Sequence, residues 1–386
     1  MSELNFAVIG CGMLAQGTHL PNICRSSKAT LHTCCDVSED ILAACREQFG
    51  PQKTTGDFHE AISDPEVEAI CLATTEALRL PVIEAAAEAG KPVYTEKPLA
   101  ATWEEALEIQ RVVNESGIPF CVGHNRRRSP AMIDAHRIFR SHVEDPKISP
   151  WRWHREGDNQ PRVPGENLPA AAVRINDDHA SWKGWVYDDE TYPHGPMLWE
   201  MTHFVDVCNW FLSAKPVEVC AMENGLYLSS VSIRYDSGSL ATIAMCANGS
   251  FGYPKELYEF MGFAGVVSVH HMMEVITAGI EGAPRRTGYP PANDRHPEAG
   301  GEGGISGWLA KRDASCAEAV ETGDNALVHS VEPDKGHAAM LEAFVDQVRG
   351  EGPVVCSVND AVLATRTCLA AIRSAREKRF VSLDEI

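Results

Sequence analysis

The sequence predicts two domains of different class: an N-terminal α/β domain on a parallel sheet, residues 1–125, and a C-terminal α+β domain, residues 126–386, with a large open, mostly antiparallel sheet. Three observations carry this. The chain has 386 residues, beyond the roughly 250–300 at which a single hydrophobic core stops growing. Its first third alternates short apolar runs with helix-like segments, the pattern of a parallel sheet covered by helices. From Val217 to Val269 short β-rich runs instead follow one another directly, as strands of an antiparallel sheet do.

In the first domain Phe6 to Ile9, Thr30 to Asp36, Ala69 to Ala73, Pro92 to Thr95 and Pro119 to Val122 read as strands. Leu14 to Ser26, Ser38 to Phe49, Leu80 to Ala89 and Thr102 to Ser116 read as helices. Thr102 with Glu105 three residues on is a helix-start signal, and Gly90 and Gly117 stand where C-caps are expected. The stretch 150–196 is polar and without period, and reads as one long functional loop. It holds Trp151, Trp153, His154, His179, Trp182, Trp185 and His194. None of these histidines has zinc-ligand spacing, whereas aromatic faces suit the apolar sides of a sugar ring. Val231 to Tyr235, Leu240 to Met245 and Val266 to Val269 read as strands of the second sheet. Residues 282–307, rich in Gly and Pro, read as a second long loop. Helical periodicity returns at His337 to Arg349 and Asn359 to Glu377.

A formal net charge of −20 repels phosphate backbones and anionic lipid surfaces, which argues against nucleic-acid or membrane binding as the main task. No apolar run is long enough to span a bilayer. Met-Ser-Glu leads straight into a strand without a signal-peptide pattern, so a cytoplasmic location is expected. The 13 cysteines form no Cys-x-x-Cys pair and sit in apolar segments, as reduced, mostly buried thiols do.

Gly10-Cys11-Gly12-Met13-Leu14-Ala15 follows an apolar strand and opens a helix, the context that a dinucleotide-binding fingerprint requires. Gly10 permits the tight turn, Gly12 lets the backbone approach a pyrophosphate, and Ala15 is small enough for the helix to pack on the strand. The helix N-terminus, with Met13 and Leu14 in its first turn, favours the phosphate charge. Asp36, 24 positions beyond Gly12, ends the second strand, where a carboxylate binds the adenosine ribose hydroxyls and repels a ribose phosphate. Neither Val37 nor Ser38 offsets that repulsion, so NAD is preferred over NADP. A Rossmann domain is the expected fold.

At the end of the strand Pro92 to Thr95 stands Thr95-Glu96-Lys97-Pro98-Leu99. Together with the fingerprint, Gly123-His124-Asn125-Arg126-Arg127, the Gly195…His203…Asp206 segment and Gly252-Tyr253-Pro254-Lys255-Glu256, it resembles the glucose-fructose oxidoreductase, inositol dehydrogenase and rhizopine catabolism family. The resemblance covers nearly the whole chain. It implies that Lys97 donates and accepts the proton during hydride transfer, that His203 binds substrate or relays a proton, and that Thr74, Glu96 and Lys97 lie at the cofactor. Many members carry aspartate four residues before this histidine; here Trp199 occupies the place, and Glu200 is the candidate replacement. Arg126 and Arg127 are the further candidates for substrate contact. Asp206 reads as structural, near a helix start or in a local ion pair. At Thr74-Thr75-Glu76-Ala77-Leu78-Arg79, where relatives often have Thr-Pro-Asn and a histidine, Glu76 and Arg79 alter the rim of the nicotinamide pocket. No metal site is expected.

The expected activity is reversible, NAD-dependent oxidation of a secondary hydroxyl on a sugar, sugar derivative or cyclitol. Three alternatives stand beside it: a glycoside-cleaving enzyme of the same family that retains NAD, a reductase of a different carbonyl compound such as a biliverdin-like or diol substrate, and a nucleotide sensor without chemistry. A homo-oligomer, dimer or tetramer, is expected to use one face of the second sheet, since alternating apolar residues such as Val231, Ile233 and Tyr235 require cover.

Overall fold

The computed structural model describes residues 3–146, 168–178, 194–224, 228–250, 252–292, 296–299, 303–324, 327–328 and 330–386. Trp151, Trp153, His154, His179, Trp182 and Trp185 lie outside the described residues. The chain divides into two compact units. The first comprises, among the described residues, 3–128, 194–206 and 336–369; the second takes the rest. The division falls after Arg128, and the first unit is discontinuous where one continuous segment was expected. The reason lies in its core, considered below.

In the first unit β1 (Leu4–Ile9), β2 (Ala29–Cys35), β3 (Lys53–Thr55), β4 (Ala69–Leu72), β5 (Val93–Thr95) and β6 (Phe120–Val122) form a six-stranded sheet in the order β3-β2-β1-β4-β5-β6. Every pairing is parallel. The order reverses between β1 and β4, and ligands of such sheets bind outside the strand ends at that switch. Between the strands run α1 (Leu20–Arg25), α2 (Glu39–Phe49), α3 (Phe58–Ser63), α4 (Arg79–Glu88) and α5 (Trp103–Ser116). Thr102 caps α5 by accepting from the Glu105 amide at 3.2 Å, and Gly117 ends it in a left-handed conformation.

The helix after the fingerprint is not uniform. Ala15–His19 is a π-helical turn in which the Leu20 amide donates to the Ala15 carbonyl. Pro21 has no amide to donate to the carbonyl four residues back and its ring crowds that carbonyl, which accounts for the widened turn.

The second unit begins with α6 (Pro130–Glu144) and holds a nine-stranded sheet. Its strands are β7 (Ala170–Asn176), β8 (Pro216–Asn224), β9 (Leu228–Tyr235), β10 (Leu240–Cys246), β11 (Glu256–Gly262), β12 (Gly265–His270), β13 (Glu274–Ala278), β14 (Arg286–Gly288) and β15 (Val381–Ser382), in the order β14-β13-β12-β11-β7-β10-β9-β8-β15. All pairs are antiparallel except β7 with β10. The single loop read over 150–196 therefore contains a central strand. Residues Ala170, Ala171 and Ala172 give β7 too little contrast between its faces for alternation to be read from sequence. The 282–307 segment likewise contains β14, paired to β13, and the start of α9 (Gly304–Thr322).

Val231, Ile233 and Tyr235 are fully buried within this unit, on the face that packs against α6 and the end of a further helix. Phe139 of α6 and Phe211 both reach Phe260 of β11, Phe211 stacking on it at 3.6 Å between centroids. They are core residues, so they do not mark an association surface. The opposite face carries Ser230, Ser232 and Arg234 between exposed Met222, Leu228 and Leu240.

The core of the first unit explains its discontinuity. Phe344, on α10 (His337–Val348), lies 6.2 Å from Phe6 and 5.8 Å from Tyr94 between ring centroids. With Met340, Leu341 and Val345 it belongs to the same buried cluster as β1, β4 and β5. None of the 13 cysteines is joined in a disulfide, and most of them are buried. Among the described residues no helix is long and apolar enough to cross a membrane.

Candidate active site

β1 delivers Gly10 with φ +85°, a conformation that costs an L side chain but not glycine. A Cβ there would stand 2.7 Å from the Ala73 carbonyl oxygen and 2.9 Å from Thr74 Cγ2, so the turn also packs too closely on the end of β4 for any other residue. Gly12 differs: a Cβ there would meet nothing within 4 Å. Its open flank lies at the start of a helix, where amides and dipole favour an anion. Asp36 follows β2. Its Oδ2 accepts from the Cys11 amide and its Oδ1 from the Ser38 amide, both at 2.9 Å, which fixes the carboxylate beside the turn. Each oxygen keeps a lone pair for a ribose hydroxyl. Met13, Leu14 and Val37 are exposed apolar side chains at the same rim. This open glycine, helix start and fixed carboxylate fit an NAD pyrophosphate and adenosine ribose.

Glu96 and Lys97 leave β5 in opposite directions. Glu96 is buried, and its Oε1 lies 2.9 Å from His19 Nε2 on the π-helical turn. Burial alone would raise its carboxyl, but the His19 hydrogen bond and the charges of His19, Lys97 and His337 hold it at about 2. The Glu96 carboxylate, expected at the cofactor, thus braces β5 against the fingerprint helix. His19 was missed in the sequence, because nothing in its spacing ties it to Glu96.

Lys97 precedes a cis peptide to Pro98. Its Nζ donates to the Trp199 carbonyl at 2.8 Å and to Glu200 Oε2 at 3.4 Å, and lies 5.7 Å from the centre of the Trp199 ring. Trp199 ends α7 (Pro196–Trp199); Glu200 precedes α8 (Met201–Leu212), which carries His203. Glu200 Oε1 is 4.0 Å from Arg126 Nη2, whose guanidinium sits over the Phe204 ring. His203 is buried, and burial, then the charges of Arg126 and Lys97, push its imidazole well below the ordinary value. Its Nδ1 has no partner among the described residues. His124, another residue that sequence reasoning did not single out, meets His203 edge to face at 5.8 Å. Burial holds it below the ordinary value too.

Lys97, Trp199, Glu200, His203 and Arg126 therefore converge. Arg127 does not join them. Its Nε and Nη2 donate to the two oxygens of Asp206 at 2.9 and 2.7 Å, and its Nη1 donates to the Val355 carbonyl at 2.9 Å. With the fork filled by protein acceptors, Arg127 is a clamp between segments rather than a substrate contact, and Asp206 is its partner. Thr74 lies against Gly10, and its carbonyl accepts from Arg79 at 3.3 Å. A thiol group, Cys11, Cys34 and Cys45, and the set His124, Asp206 and Cys356 have their donor atoms within 4.8 Å of one another. Asp206 of the second set is already held by Arg127.

Residues 4–124 match the family profile described as the oxidoreductase family with an NAD-binding Rossmann fold. The chain is 34% identical over 104 residues to levoglucosan dehydrogenase of Pseudarthrobacter phenanthrenivorans, covering 27% of each chain. It is 23% identical to inositol 2-dehydrogenase of Rhizobium meliloti over 98% of its own length and 99% of the relative's. The crystal structure of scyllo-inositol dehydrogenase from Lactobacillus casei with bound NAD(H) and scyllo-inositol shares its fold, with a TM-score of 0.71 and 18% identity, covering 99% of this chain and 100% of that one. Over residues 4–124 the chain thus carries the NAD-binding Rossmann domain of the glucose-fructose oxidoreductase, inositol dehydrogenase and rhizopine catabolism family, and along its whole length it is an NAD-binding oxidoreductase similar to sugar and inositol dehydrogenases.

Proposed function

We propose that the protein transfers hydride between NAD and a secondary hydroxyl of a cyclitol, sugar or sugar derivative, with Lys97 as proton donor and acceptor. The observation that carries this reading is the position of Lys97 Nζ, held by the Trp199 carbonyl and Glu200 within the cluster that includes His203. Bound NAD supplies the hydride acceptor at its nicotinamide ring. A secondary alcohol gives up hydride only as its hydroxyl proton leaves, and a carbonyl takes hydride best when a donor holds its oxygen. Lys97 serves both directions, and Glu200 lies close enough to exchange a proton with it. His203, held neutral, can accept from one hydroxyl and donate to another. Arg126 and Trp199 complete the substrate contacts. Similarity to an inositol dehydrogenase along nearly its full length supports a cyclitol as the first substrate to try.

The test is a screen of cyclitols, sugars and glycosides with NAD, read at the reduced-nicotinamide absorbance and by product analysis. One reduced cofactor per product is expected. Product without accumulated NADH would replace this reading with transient oxidation and elimination, and binding of NAD without turnover of any member would point to a sensor.

A further inference from the structure

The segment from Thr74 to Arg79 lies between the fingerprint turn and Lys97. Ala73 and Thr74 pack on Gly10. Arg79, at the start of α4, is buried, and its Nη2 donates to the Thr74 carbonyl at 3.3 Å and to the Lys97 carbonyl at 3.4 Å. It thereby ties the fingerprint side of the site to the lysine side. The same nitrogen is 3.5 Å from Glu76 Oε1, and Glu76 is only 7% exposed. Its other oxygen, Oε2, is buried and has no hydrogen-bond donor among the described residues.

A buried carboxylate oxygen without a donor forfeits hydration and gains nothing in return. A donor that arrives with a ligand removes the deficit. Near Lys97 the ligand present in the reaction is the nicotinamide end of NAD, and the N–H donor on that ring is its carboxamide. We propose that Glu76 is a specificity-determining residue whose Oε2 accepts a hydrogen bond from the nicotinamide carboxamide, with Arg79 fixing the carboxylate from behind. This rests on the reading that NAD binds with its nicotinamide at Lys97.

The probe is 3-acetylpyridine adenine dinucleotide, in which a methyl group replaces the carboxamide nitrogen and both N–H donors disappear. Equilibrium binding of NAD and of this analogue, by calorimetry or fluorescence, is compared for the wild type and for Glu76→Ala. A hydrogen bond to a charged group is worth about 1.5–3 kcal/mol, so the wild type should bind NAD roughly 10- to 100-fold more tightly than the analogue. Glu76→Ala should weaken NAD by a similar factor while leaving the analogue nearly unchanged, and its far-UV spectrum and melting should confirm folding. Equal affinities in the wild type, or an equal loss for both ligands in the variant, would overturn the proposal while leaving the proposed activity standing. Should the variant not fold, the wild-type comparison alone decides. Absence of NAD binding altogether would remove both the activity and this inference.

Discussion

Lys97 meets two acceptors of different kind, a carbonyl that fixes its position and a carboxylate that can exchange its proton, whereas we assign the dinucleotide mainly to the turn around Gly10, Gly12 and Asp36. Chemistry and cofactor binding should therefore separate on substitution. In Lys97→Met, stopped-flow and steady-state assays should show turnover reduced by about 10²–10⁴-fold with NADH affinity little altered. His203→Ala should lose less, since Lys97 still polarises the oxygen. Asp36 governs a different choice. Its carboxylate, pinned by two amides, cannot swing away from a ribose phosphate, so the ratio of kcat/KM for NAD over NADP should favour NAD. Asp36→Ala combined with Val37→Arg should narrow or invert it. His203 also links the site to pH. Burial and neighbouring cations lower its folded value, so below about 6.5 the unfolded chain takes up a proton that the folded chain refuses. Its neutral form contributes stability that is present above that pH and lost as pH falls. Denaturant melts of wild type and His203→Gln should show the wild-type margin shrinking on acidification, by up to about 1.4 kcal/mol per pH unit below that point.

At the scale of single elements, what sequence disclosed was whatever rests on local chemistry. The fingerprint turn, the Thr102 cap and the Gly117 stop need only neighbours in sequence, and each stands where it was expected. Gly10 and Gly12 separate two meanings of glycine that look alike in a motif. Gly10 is required by the fold, whereas the empty space at the flank of Gly12 leaves room for the ligand we assign to it. Gly12→Ala should leave thermal stability within a few degrees of wild type and still weaken NAD binding by an order of magnitude or more; Gly10→Ala should lower both. The π-helical turn was hidden because Pro21 inside a helical pattern can end, kink or widen a helix, and only packing decides which. β7 was hidden for another reason, its alanines being too small to show which face is apolar. The candidate site was legible where a motif carries a residue and illegible where a residue's role rests on a distant partner. Lys97, Asp36 and His203 have motifs, while the buried partner of Glu96 and the clamp on Arg127 depend on distances that no spacing encodes.

Over the whole molecule, two sheets of the expected classes were readable from alternation and turn signals, but not which face of the second one is spent internally. Its outward face, with Met222, Leu228 and Leu240 exposed among serines and alanines, is the surface we propose for self-association, in a dimer or tetramer. Light scattering at micromolar concentration should give a multiple of 42.1 kDa, and Leu228→Lys with Leu240→Lys should lower it. A monomer mass in the wild type would remove the idea. Domain continuity was unreadable for the same reason as the Glu96 brace: α10 joins the first core through Phe344 and its neighbours, across a long separation in sequence.

That late contribution sets a timetable for synthesis. When residue 128 has left the ribosome all six parallel strands exist, yet Phe6 and Tyr94 still lack the Phe344 ring that covers them. Residues 129–335 must be translated first, which at about 5–20 residues per second takes on the order of 10–40 s. Throughout that interval the nascent first sheet carries a bare apolar patch, so a sheet made before residue 129 is sealed only after residue 335, and its safe passage falls to whatever holds unfinished chains apart.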